Sequence, residues 1–175
     1  MAALQGWRII LLINIASIGL LSAGILAGQA LPSGLHTHGP GIDGQMLAWD
    51  GTWYQNIAQR GYQWNAAFGT TLGQHQNIAF FPLYALTDWA SMHIAGSARP
   101  IFDILPGLGF GLCANATFYR LAEHLTPQPA FATALFAFWP ASCFYAMGYP
   151  TGLLNLCIIL CFLEYTGGRR WRAGF

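Results

Sequence analysis

The chain has no lysine, only 7% charged residues among its 175, and a formal net charge of +1 from seven arginines against six acids. So little charge excludes the electrostatic footprint of a nucleic-acid-binding protein. It also leaves too little polar surface for a soluble domain of this length, because 55% of the residues are hydrophobic and 15% aromatic. The four cysteines, Cys113, Cys143, Cys157 and Cys161, all lie in apolar stretches. Cys157 and Cys161 are helix neighbours rather than a metal or disulfide pattern, so all four read as small core or lipid-facing residues. The composition therefore predicts an all-α integral membrane protein, forming a single membrane domain over residues 1–175.

Ile9 to Gly28 supplies twenty residues without a charge, enough to cross ~30 Å of hydrocarbon at ~1.5 Å per residue. Arg8 precedes it. The run continues past Ser22-Ala23-Gly24, which favours an uncleaved anchor over a signal peptide. From Leu31 to Asn77 the chain is rich in glycine and polar residues and reads as a loop outside the bilayer core, so the outer loop is placed at 29–100. Further spans are expected over 101–119, 130–147 and 152–165, about four in all counting 9–28. Pro106 and Pro140 are expected to kink their helices, and Gly107, Gly109 and Gly111 to make one helix face thin enough for close packing.

Within the loop, Trp49-Asp50-Gly51-Thr52-Trp53-Tyr54 opens a short helix predicted over Asp50 to Arg60. Asp50 is positioned to cap its first amides and Gly61 to terminate it. Trp49, Trp53, Ile57 and Arg60 recur at helical spacing, as expected of a helix lying flat at the headgroup level. Ile78 to Gly96 is almost long enough to cross, but it carries Pro82, Asp88 and His93, and an aspartate in mid-bilayer is costly. If this segment lies in the interface, Arg8, Arg120 and the cluster Arg169, Arg170, Arg172 fall on one face, as the positive-inside tendency expects. The interfacial topology is preferred on that ground.

The run Trp49-Asp50-Gly51-x-Trp53-Tyr54-x-x-Ile57-Ala58-x-x-Gly61-Tyr62, then Ala79-Phe80-Phe81-Pro82-Leu83-Tyr84 and later Pro140-Ala141-Ser142-Cys143-Phe144-Tyr145-Ala146-Met147-Gly148-Tyr149, resembles the PIG-V mannosyltransferases and their bacterial relatives. The resemblance covers the amino-terminal part of that family, from about Gly6 onward. It implies a GT-C architecture, with interfacial helices in the first outer loop, and transfer of mannose or another hexose. The donor would be a polyprenyl-phosphate-linked sugar and the acceptor a lipid or glycan hydroxyl at the outer or lumenal face. No cofactor is expected. Where the family commonly continues Tyr-Ser/Thr-Glu-Ser, this chain reads Tyr149-Pro150-Thr151-Gly152, without the glutamate. GT-C enzymes use more than four spans, so the resemblance also implies an incomplete module, completed by further sequence or by another membrane subunit. The expected location is a bacterial cytoplasmic membrane, or the endoplasmic reticulum membrane if the chain is eukaryotic.

On that reading Asp50 is the general base, drawing the proton from the acceptor hydroxyl during inverting attack. Trp49, Tyr54, Arg60, Tyr62, His75, Phe81, Tyr84 and Arg99 are the candidate substrate-binding residues. Arg60 and Arg99 are the cations available to the leaving phosphate. The bland alternatives are definite: Asp50 as a helix cap, Arg60 snorkelling to headgroups, Arg99 paired with Asp103, and the aromatics as belt residues. His36-Thr37-His38 with Asp43 has metal-like spacing, but no third ligand is fixed, and no metal is assigned. Asn115-Ala116-Thr117 fits the glycosylation pattern inside an expected span, where it would not be used. The rival class is a non-catalytic membrane subunit or an inactive remnant.

Overall fold

The computed structural model describes residues 2–29, 41–63 and 77–168, and among these every regular element is helical. The uncharged amino-terminal run forms most of α1 (Ala2–Gln29). A small turn of helix, α2 (Gly41–Met46), leads into α3 (Asp50–Arg60), and α4 (Pro82–Ala95) precedes the long α5 (Ile101–Leu125). Then come α6 (Pro129–Ala137), a 3-10 helix over Pro140–Tyr145, and α7 (Thr151–Thr166).

Two helices, Gly6–Gly28 of α1 and Ile101–Leu125, are long and apolar enough to cross a membrane. On α1 the side chains of Leu11, Leu12, Ile15, Leu20 and Leu26 are each more than half exposed, a continuous apolar surface suited to lipid rather than water. The expected span over 130–147 is not one helix. It is split, because Pro140 has no N–H to give the preceding turn and holds Trp139 extended at φ −59°, ψ 136°. The nine residues of α6 rise only ~14 Å. The last expected span corresponds to α7, whose sixteen residues rise ~24 Å, short of a full hydrocarbon core. Pro106, by contrast, is carried inside an unbroken α5. The fourteen residues of α4 begin at Pro82, which needs no amide partner in a first turn, and end at Gly96 with φ 63°.

α1 and α5 run antiparallel. Gly6 lies against the Tyr119 ring, Asn115 Nδ2 donates to Asn14 Oδ1 at 2.8 Å near the middle, and Leu21 and Ile25 pack with Ile104 and Leu108. Arg8 and Arg120 thus share one end of the pair, while Arg99 stands at the other.

Helix α5 is the hub, packing on α7, α6 and α4. Close approach is allowed by glycine at three points. A Cβ on Gly111 would lie 2.8 Å from Tyr145 Cβ, one on Gly152 would lie 2.8 Å from the Gly111 amide nitrogen, and one on Gly107 would meet the Met147 carbonyl. Gly109 faces open space, so the thin face is Gly107 and Gly111, one turn apart, and the third glycine of the expected stripe is not part of it.

Candidate functional site

Asp50 stands at the first position of α3 with its side chain exposed. It is not the cap. That place is taken by Trp49, whose φ of 52° is the sole positive value at a non-glycine among the described residues. The strained turn is held by Tyr149, ninety-nine residues later: the Asp50 amide donates to the Tyr149 hydroxyl at 3.1 Å, and that hydroxyl donates to the Ala48 carbonyl at 2.9 Å. Close by, the Gly148 amide donates to the Met46 carbonyl at 2.9 Å. A Cβ on Gly51 would lie 3.1 Å from the Gly148 carbonyl oxygen. The first and third sequence motifs are therefore one structural unit, and burial raises the Tyr149 phenol above its ordinary range.

The second motif joins through aromatic packing. Phe80 stacks on Trp53 at 5.7 Å between ring centroids and meets Tyr54 edge-on at 5.2 Å, and Tyr54 meets Tyr84 edge-on at 5.1 Å. Burial, reinforced by the neighbouring Asp50 carboxylate, pushes the Tyr54 phenol up to about 12, so it stays protonated. Asn77, wholly buried, accepts from the Gln63 amide at 2.8 Å and donates to Asn56 and to the Gly61 carbonyl, both at 3.2 Å. This fixes the end of α3, where Gly61 takes φ 75°, ψ −174°, an extended positive-φ conformation open to glycine and not the left-handed helical one expected of a terminator.

The remaining candidates are spread around this unit. Trp49 and Tyr62 are exposed, and the Tyr62 hydroxyl donates to the Phe80 carbonyl at 2.6 Å. Phe81 is 79% exposed. Tyr84 is interior, its hydroxyl donating to the Asp103 carbonyl at 3.3 Å, and burial raises its phenol above the ordinary range. Arg60 closes α3 ten residues from Asp50, ~15 Å along the axis. Arg99 is exposed just before α5 and does not pair with Asp103, whose Oδ2 instead accepts from Gln55 Nε2 at 2.6 Å. His36, His38 and His75 lie outside the described residues, as do Arg169, Arg170 and Arg172. Asp43 falls in α2, with its side chain outside the description. Among the described residues no group of three metal-ligating side chains occurs, and Asn115 is buried against Asn14.

Sequence reasoning missed a pair of buried acids behind α3. Asp88 is 1% exposed with neither carboxylate oxygen partnered, and Asp103 is fully buried with Oδ1 unpartnered. Burial, with the nearby Asp103 adding to it, pushes the Asp88 carboxyl up to about 9. Asp88 is therefore neutral at pH 7. The available signal was helical phase: Tyr84, Asp88 and Met92 share one face of α4 and are all buried.

Comparison with known protein families, with curated proteins and with solved structures found no match.

Proposed function

We propose that the chain carries the acceptor-activating part of a membrane glycosyltransferase, with Asp50 as general base in transfer of a hexose from a polyprenyl-phosphate donor to a lipid or glycan hydroxyl. The observation that carries this reading is the convergence of all three motifs on one exposed carboxylate. Tyr149 clasps the turn that presents Asp50, and Phe80 packs on Trp53 and Tyr54 of the helix that Asp50 opens. A solvent-reachable carboxylate on a rigid, aromatic-walled ledge is what abstraction of a sugar hydroxyl proton requires. The phosphate diester leaves as a stable anion, so the site needs a base and nearby positive charge but no strong acid. Arg60 and Arg99 are the cations on offer.

The second reading, a non-catalytic subunit of such an enzyme, is favoured by the absence, after Tyr149, of the glutamate that the resemblance expects.

The test is mannose transfer from a polyprenyl-phosphate donor in membranes holding the complete system. Asp50→Asn is expected to lower the rate by about 10²–10⁴-fold with insertion unchanged. Full activity in that variant removes Asp50 from the mechanism and leaves the subunit reading.

A further inference from the structure

A cleft of about 330 Å³ runs between α3 and α4, apart from the Asp50 ledge. Its floor is small (Ala58, Gly61, Ala85) and its walls are Tyr62, Leu86 and Trp89. The walls are already fixed. Tyr62 is pinned by its hydroxyl bond to the Phe80 carbonyl, and Trp89 packs on the His93 ring at 4.1 Å. Phe81, Leu83, Leu86, Trp89 and Ile94, on the cleft walls or in the same segment, are all exposed, an apolar surface of the kind that marks a membrane or partner contact. At the rim of the cleft, one residue before Gly61, stands the exposed Arg60.

We propose that this cleft binds an anionic glycerophospholipid of the surrounding bilayer, one acyl chain lying on the Ala58–Gly61–Ala85 floor and the phosphodiester against the Arg60 guanidinium. Three observations select that occupant. The volume is at the small end for ligand pockets and suits a chain segment rather than a whole molecule. The lining is apolar except for the Tyr62 hydroxyl, which is already engaged, and the Trp89 indole N–H, so the cleft offers a buried ligand one hydrogen-bond donor at most. The rim carries a single fixed positive charge, matching the single negative charge of a phosphodiester. A chain seated here would fasten α3 and α4 flat against the membrane. The inference rests on the membrane reading and not on the role of Asp50.

The experiment uses the full chain in phosphatidylcholine vesicles containing increasing phosphatidylglycerol, with the acyl chains of one lipid or the other brominated. Quenching of Trp89 is isolated by subtracting the signal of Trp89→Phe. Brominated phosphatidylglycerol is expected to reach half-quenching at a mole fraction about fivefold lower than brominated phosphatidylcholine, the preference one arginine gives near an anionic surface. Arg60→Gln should erase that preference. Leu86→Glu, an exposed wall substitution, should weaken quenching by both lipids. Equal quenching by both lipids in the parent chain, or a preference that survives Arg60→Gln, overturns the proposal. So does displacement of phosphatidylglycerol by equimolar undecaprenyl phosphate, which would give the cleft to an isoprenoid carrier instead.

Discussion

At the residue scale, the most consequential side chain after Asp50 is Asp88, because its burial sets a pH dependence. Its carboxyl is pushed up to about 9 when folded against about 3.8 in the open chain. The folded state therefore binds the extra proton between those values, and stability falls as pH rises across them. The contribution is complete below about pH 4 and is lost as pH passes through about 9. Asp88→Asn, which keeps the shape of the neutral acid, should flatten this slope. In thermal unfolding of the detergent-solubilised chain, the variant is expected to gain on the parent steadily from pH 5 to pH 9. A parallel pair of curves would mean that Asp88 is ionised in the fold. Composition alone could not expose this residue: an aspartate in an apolar run reads as an obstacle to membrane crossing, and only the packed α4 face reveals it as interior. The Asp50 helix was legible for the opposite reason. Its start and stop are local matters of Trp49-Asp50-Gly51 and Gly61, even though the cap proved to be Trp49. The clasp by Tyr149 was not legible, since nothing local connects residues ninety-nine apart.

At the element scale, what the sequence announces depends on how many residues share the decision. The spans expected over 9–28 and 101–119 both fall inside single helices, which run on beyond them as α1 and α5, the first by seven residues at its start and the second by six at its end. The 130–147 run had the same hydropathy, but a single backbone event at Trp139-Pro140 divides it. Packing of α5 makes the point quantitative. At Gly111 an added methyl would meet the Tyr145 backbone carbonyl at 2.9 Å, and at Gly109 it would meet nothing within 4 Å. Gly111→Ala is therefore expected to destabilise the bundle by ~1–3 kcal/mol through overpacking. Gly109→Ala should be neutral or should stabilise by up to ~1 kcal/mol through helix propensity. Denaturation midpoints of the two variants, measured side by side, check the assignment. Equal effects would mean that the stripe is a matter of propensity rather than of contact with Tyr145.

At the scale of the whole molecule, the antiparallel pairing of α1 with α5 puts Arg8 and Arg120 at one end and Arg99 at the other. α4, fourteen residues long, rises ~21 Å and holds a buried aspartate, so it is poorly suited to carry the chain across hydrocarbon. Gln59 and Ala98 should then lie on one side of the membrane, and Gln128, beyond the far end of α5, on the other. All three positions are exposed, so a cysteine at each can be read without disturbing the core, in a background with the four native cysteines replaced. An impermeant thiol reagent applied to sealed, outward-facing membranes is expected to label Gln59→Cys and Ala98→Cys together and to spare Gln128→Cys until the membrane is opened. Labelling that separates Gln59→Cys from Ala98→Cys would make α4 a crossing element. Asp88 would then be a neutral carboxyl in mid-bilayer, and the lipid cleft and the Asp50 ledge would no longer share an interface.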